Sequence, residues 1–314
     1  MTSAGRRSTP PTCLAGSAPN PTCSDRGGCR GRPRRRHPAG ALPVAPPGRR
    51  RVLVRGTLAA LRRSGWRIAM ATAFTASVDA PTGFALACQL DKGLAADVDY
   101  MALRREEDAA FARALGVDPV EWLGLPEAPH RGYNSAPALF GGVRPDDEIW
   151  REVASALDRL DRRWRPAAVF APQAIGGHVD HLQAVRAVLS LPAIAGRTAW
   201  YRDLPYAARF PDARPSPTLP GDLIEARVGL AEADLAAKLD GCACYATQVG
   251  FQFGGVAAMR DRLGAFAMSE AGRSTAGVAY AETFLAPRRV AAALAAIGET
   301  RKLRHGSCGT ESPV

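Results

Sequence analysis

From residue 56 onward, stretches with helical spacing of apolar residues alternate with short continuous apolar runs. "GTLAALRRSG" (56–65) predicts a short helix ending at Gly65, a usual C-cap residue. "WRIAMATAF" (66–74) reads as a buried strand. "RREEDAAFARALG" predicts a helix from Arg104 closed by Gly116, and "VEWLGLP" a short strand stopped by Pro126. In "DEIWREVASALDRLDRR", Ile149, Trp150, Val153, Leu157 and Leu160 recur at helical spacing after an expected cap at Asp146. "AAVFAPQ" is another compact strand, "HLQAVRAVLS" a helix running up to Pro192, and "TAWYRDLPY" a further strand. Strands that are apolar throughout, alternating with helices, predict an α/β fold: a mostly parallel sheet with helices on both faces. In such folds ligands bind beyond the carboxyl ends of the strands. No internal repeat is seen.

Composition changes the picture in one place. The chain has 314 residues, 46% of them hydrophobic, enough for one large domain or two small ones, and a formal net charge of +11. That charge lies wholly in residues 1–55, which hold twelve Arg, no Lys and the single acid Asp25. Residues 56–314 carry 29 basic and 29 acidic side chains and are neutral, which argues against a basic groove for nucleic acid. Residues 1–55 also hold nine Pro and no Phe, Tyr or Trp, so they read as a disordered Arg/Pro-rich leader. The leader lacks the apolar core of a secretory signal, and its prolines argue against an amphipathic transit helix. No run of 18 apolar residues predicts a membrane span. The seven Cys are scattered, so no disulfide framework is expected and a reducing cytoplasm is the default. The expected division is leader 1–55, folded domain 56–298 and polar tail 299–314. Nothing in the sequence specifies an oligomeric state.

The candidate chemistry lies in "AIGGHVDHLQAVRAVL" (174–189), at the end of the strand "AAVFA" and the start of a helix. Neutral imidazole is a good zinc ligand, and a neighbouring carboxylate can fix its tautomer. His178 and His181 are three apart and share one side of a helical turn. Asp180 lies between them, and Gly176 and Gly177 let the backbone turn tightly. The plainer alternative stays open: two histidines and an acid that merely cap a helix. A hydrolytic zinc site needs about three protein ligands, and this stretch supplies one or two. The other histidines do not complete it. His37 lies in the leader, His305 in the tail, and His130 reads as a surface-loop histidine.

In order along the chain, "RREEDAAFARALG", "VEWLGLPEAP", "APQAIGGHVDHLQAV", "DLPYA", "CYATQ" around Tyr245 and "AETF" (281–284) resemble the PIG-L-type, or LmbE-like, zinc deacetylases. The likeness runs from about residue 56 to 286, and "GGHVDH" is its most specific piece. It implies a Rossmann-like sheet, one catalytic zinc, and removal of an acetyl group from an N-acetylated amino sugar or related small molecule. It implies that His181 binds zinc, that His178 stabilises or protonates the tetrahedral intermediate, and that Asp180 holds its neighbour in the right tautomer. It also matches Arg104, in an Arg-x-x-Glu pair with Glu107, to a substrate-side arginine.

One family motif is missing. A Ser-Pro-His-x-Asp-Asp sequence should stand a few residues before "GTLAAL", supplying further zinc ligands and the general base. "VAPPGRRRVLV" stands there instead, without His, Asp or Glu. Yet the codons of Val44 to Arg55, read one base later, are compatible with Ser-Pro-His-x-Asp-Asp-Ala-Val-Phe-Ser-Cys-Gly. That reading joins Gly56 in register, and it requires Pro46, Gly48 and Arg49 to use codons ending in A. A displaced frame would also explain the composition of the leader. The expectation is a frameshift before Gly56, with the first strand of the sheet lost or scrambled and the chain as written binding zinc weakly or not at all. Two other classes remain: a catalytically dead relative kept as a small-molecule binding module, and a nucleic-acid binder using the Arg-rich leader.

Overall fold

The computed structural model describes residues 41–45, 55–210, 212–272 and 277–305. Within them one seven-stranded sheet runs in the order β3-β2-β1-β4-β5-β7-β6. The strands are β1 (Ala41–Ala45), β2 (Met70–Thr72), β3 (Val120–Trp122), β4 (Ala168–Pro172), β5 (Thr198–Tyr201), β6 (Ile224–Leu230) and β7 (Tyr280–Ala286). Strands β1 to β5 are mutually parallel, while β7 runs antiparallel to both β5 and β6. The strand order reverses between β1 and β4, which places the ligand-binding crevice of a doubly wound sheet at their carboxyl ends.

Alternate strand residues feed two cores. Met70, Phe170, Ala199 and Tyr201 join one face of the sheet, and Ala71, Val169, Ala171 and Trp200 join the other. Both sides of each strand are thus covered, which is why these runs are apolar without a break. The helix Trp150–Trp164 buries Val153, Leu157 and Leu160, as its spacing predicted. A third, small core of Ala128, Tyr133, Leu139 and Val179 lies under the connections next to the quoted motif.

The elements read from residue 56 onward are present, but β2, β3 and β5 are shorter than the apolar runs that predicted them, and several boundaries move for physical reasons. The helix carrying Arg104 begins four residues earlier, at Tyr100, because the Asp99 side chain accepts a hydrogen bond from the Ala102 amide. Asp146 does not cap its helix. Asp147 does the local work instead, its Oδ1 accepting from the Ile149 amide at 3.3 Å, while Asp146 pairs with Arg144. The helix Arg288–His305 carries the chain past residue 299, where a polar tail was expected.

The expected loss of the first strand is corrected. Ala41–Ala45, inside the supposed leader, is the central strand and pairs with both β2 and β4. The physical reason is that Ala-Leu-Pro-Val-Ala is a short apolar run upstream of the first helix, as a strand covered on both faces requires. It suits the position poorly: Pro43 has no N–H to give to either neighbour, and proline inside sheets is normally confined to edges. The remaining leader residues, apart from Arg55, lie outside the described ones.

The first helix, Arg55–Arg63, is held at its start by a residue far away in sequence. Glu282 on β7 accepts from the Gly56 amide at 3.1 Å and the Thr57 amide at 2.9 Å, and pairs with Lys238 at 2.7 Å. A carboxylate at a helix N-terminus answers the orphan amides and the positive end of the dipole. Arg55, at the same helix end, has the opposite character. It is fully buried, with its guanidinium 3.8 Å from the Phe111 ring centroid and 4.5 Å from that of Tyr245. A buried cation at the positive end of a helix is electrostatically misplaced.

Candidate metal and catalytic site

The motif begins where β4 ends. Ala174, Gly176 and Gly177 take φ values of 56°, 86° and 70°, three left-handed residues in four, and they swing the chain across the sheet edge into the helix Val179–Leu189. At Gly176 a Cβ would also sit 2.8 Å from the Tyr206 ring, so both backbone conformation and close approach require glycine. Replacing Gly176 by Ala should cost about 1–3 kcal/mol. Urea denaturation checks this, and an unshifted midpoint would show that the turn tolerates a side chain.

His178 is the N-cap of that helix. Its Nδ1 accepts from the Asp180 amide at 3.2 Å. A neutral ring that accepts at Nδ1 carries its proton on Nε2. The ring lies edge-on to Phe140, with centroids 5.4 Å apart, and 5.8 Å from the His181 ring. His181, one turn in, is 1% exposed, and its Nδ1 bonds the carboxylate of Asp203, a residue that follows β5 and is itself fully buried. Asp203 also accepts from the Ile175 amide through Oδ2, at 2.9 Å. A carboxylate on Nδ1 fixes the proton there and leaves Nε2 as the basic nitrogen, the state of a metal-binding histidine.

Asp180 behaves differently from expectation. Its carboxylate pairs with Arg131 at 2.9 Å and reaches the Ala128 amide at 3.4 Å. It stays 3.9 Å from His178 Nδ1, too far for a hydrogen bond. The peptide N–H of Asp180, not its side chain, is what addresses His178. Burial pushes the Asp180 carboxyl up to about 6, against the pull of the Arg131 guanidinium.

Arg104 lies in an adjoining polar cluster. It is 1% exposed, pairs with Glu107 at 3.2 Å, and stands over the Tyr245 ring at 5.5 Å. Its Nε and Nη2 are buried and have no hydrogen-bond partner among the described residues. Around it, Glu107 is bonded by Thr247, and Asp108 by Tyr245, Trp122 and Thr72. Glu127 acts electrostatically on both Tyr100 and Asp180. Unspent N–H groups on a buried guanidinium are costly and point to a polar ligand.

His130 sits half-buried on the turn Ala128–Arg131, where burial lowers its imidazole below the ordinary value. The side chains of His37 and His305 lie outside the described residues.

The fold therefore brings together His178, Asp180 and His181 with two residues that sequence reasoning missed, Asp203 and Arg131. Asp203 had a readable signal, an acid directly after a strand in "DLPYA". Arg131 had none, because it acts on residues 16 and 49 positions away. Among the described residues no group of three or more His, Cys, Asp or Glu side chains is placed to hold a metal ion. Residues 46–54 contain none of those residue types. Among the described residues His181 is the best-prepared ligand, and no second and third donor stand with it as a zinc site requires.

Residues 50–191 match the family model described as PIG-L: GlcNAc-PI de-N-acetylase, a match that opens just past positions 44–49, where the first motif is expected. The 2'-N-acetylparomamine deacetylase of Streptomyces fradiae is 38% identical over 112 residues, covering 34% of this chain and 38% of that relative, so the match spans well under half of it. Among solved structures, the A40926 pseudoaglycone deacetylase aligns with a TM-score of 0.66 and 23% identity over 79% of this chain and 96% of its own. The zinc-inhibited form of teicoplanin deacetylase aligns with a TM-score of 0.66 and 22% identity over 78% and 97%. The N,N'-diacetylchitobiose deacetylase of Pyrococcus horikoshii gives 0.51 and 20% over 79% and 84%. At these identities the solved structures speak for the fold. The chain is thus similar in sequence to the PIG-L de-N-acetylases over residues 50–191, and it shares the Rossmann-like fold of the solved deacetylases.

Proposed function

We propose that this domain is a metal-dependent amide hydrolase that removes an acetyl group from an N-acetylated amino sugar or related small molecule, and that its first metal motif has been displaced by a shift of reading frame before Gly56. The observation that carries the proposal is the Asp203–His181 pair, which sets the proton of a buried histidine on Nδ1 and leaves Nε2 as its basic nitrogen, at the carboxyl ends of β4 and β5. His178 stands beside it with its neutral proton on Nε2, a donor suited to a developing oxyanion. Arg104 keeps N–H groups for a polar substrate. The relatives' names (paromamine, pseudoaglycone, chitobiose) support the substrate class.

Two features support the displaced frame. Pro43 sits in a central strand, and Arg55 is a buried cation at a helix N-terminus where the shifted reading places glycine. Such conflicts between local residue and global fold are unusual in natural sequences. In the restored chain, zinc would lower the pKa of a bound water toward ~7 and polarise the acetyl carbonyl. No step through a metal follows for the chain as written.

Zinc is the metal we favour, since a His and Asp donor set suits it. No described helix is long and apolar enough to cross a membrane. The seven cysteines are scattered along the sequence without a disulfide framework, which supports a cytoplasmic setting. A second reading, a dead relative that binds a small molecule, is favoured only by Arg104, whose unspent N–H groups need no metal.

The test compares the chain as written with the frame-restored chain, measuring zinc content and acetate released from N-acetylated amino sugars. Expected are ~1 zinc and turnover in the restored chain, and neither in the chain as written. Full activity of the chain as written would overturn the frame argument. A restored chain that binds zinc and releases no acetate would overturn the activity.

A further inference from the structure

Beside the histidine turn lies a buried ionic knot that the proposed reaction does not use directly. Arg131 closes the turn Ala128–Arg131 and its side chain is 8% exposed. Nη1 donates to Asp180 Oδ1 at 2.9 Å and to the Pro126 carbonyl at 2.8 Å. Nη2 donates to Asp147 Oδ2 at 3.0 Å, and Nε approaches the same carboxylate. The guanidinium stands 5.0 Å from the Phe74 ring centroid. Asp147 accepts in addition from Tyr133 Oη at 2.8 Å, while its own carbonyl accepts from Gln183 on the histidine helix. Arg131 therefore joins three segments, 126–133, 147–149 and 178–183, at a point two residues from His178.

We propose that Arg131 is a positioning residue that sets the tautomer of His178 by holding the Asp180 carboxylate away from it. The argument is one of competition for a single nitrogen. Two groups of Asp180 lie near His178 Nδ1: the backbone N–H at 3.2 Å and the carboxylate oxygen at 3.9 Å. The N–H can only donate, so it requires an unprotonated Nδ1. The carboxylate can only accept, so it requires Nδ1–H. The two alternatives give His178 opposite faces toward the reacting carbonyl, a donor Nε2–H in the first and a basic Nε2 in the second. Less than an ångström of carboxylate movement separates them. Arg131 binds Oδ1 of Asp180 and is itself anchored on Asp147, and the result is the first alternative. His178 then meets the substrate as a neutral hydrogen-bond donor.

This inference rests on the proposed reaction for its purpose, yet its test does not require turnover. The full chain has five histidines, so long-range 1H–15N imidazole spectra recorded near pH 8.5 resolve the tautomer of each ring. We expect the Nε2–H pattern for His178 in the wild type. Asp180→Asn keeps the backbone N–H and should leave that pattern unchanged. Arg131→Met releases the carboxylate and should move His178 to the Nδ1–H pattern. Arg131→Lys, which keeps a cation for the two aspartates and is the less disruptive change, should give a measurable mixture if Arg131→Met fails to fold. An Nδ1–H pattern in the wild type, or a change of tautomer in Asp180→Asn, would overturn the proposal. Failure of acetate release in the restored chain would leave these spectra unaffected, so the two ideas fail separately.

Discussion

Replacing Asp203 by Ala is expected to destabilise the domain and to strip the histidine turn of its metal-binding geometry. Asp203 is fully buried and accepts from two donors, the Ile175 amide and His181 Nδ1. Without it each donor loses this buried acceptor, at a cost of roughly 1–3 kcal/mol apiece. In the frame-restored chain the same change should weaken zinc binding by about 10–100-fold, because the carboxylate is what orients His181. Asp203→Asn is expected to be milder in stability, since one acceptor oxygen remains, but similar in zinc affinity. Chemical denaturation and a competitive zinc titration measure the two effects. A normal zinc affinity in Asp203→Ala would show that His181 does not depend on this partner.

The other large effect is expected far from the histidines. Glu282→Ala removes the carboxylate that answers the Gly56 and Thr57 amides and pairs with Lys238, which is 2% exposed. Deleting one partner of a buried ion pair typically costs about 3–5 kcal/mol, because the other charge stays buried. Lys238→Met should cost less, since Glu282 keeps two helix amides at the favourable end of the dipole. Urea unfolding of both single variants and the double variant reads the coupling. Equal costs for the two single changes would mean that the helix amides contribute nothing to holding Glu282.

These residues also show what was legible in the sequence. The apolar runs at 168–172 and 198–201 were readable as buried strands because both of their faces are covered, and the helix at 150–164 because its spacing is regular. His178 and His181 stood out because short-range spacing placed them on one turn. Asp203, Glu282 and Arg131 form their decisive contacts with residues 22, 226 and 49 positions away. No local pattern encodes such pairs, although Asp203 and Glu282 lie in stretches whose likeness to the family was plain. The pairing of the Asp180 side chain was illegible for a related reason: spacing places it near His178, and only the fold shows Arg131 claiming it. Strand β1 went unread because its residues carry a leader's composition and a proline.

The displaced frame is the claim on which the account turns, and the codons themselves test it. Reading the gene across Pro38 to Leu61 should show codons ending in A at Pro46, Gly48 and Arg49, so that one base later the stretch spells Ser-Pro-His-x-Asp-Asp. An additional base near Arg55 would place the shift in the determination of the sequence rather than in the gene. A different third base at any of those three codons would contradict the account, since the shifted frame would then lack the His or one of the two Asp of the motif.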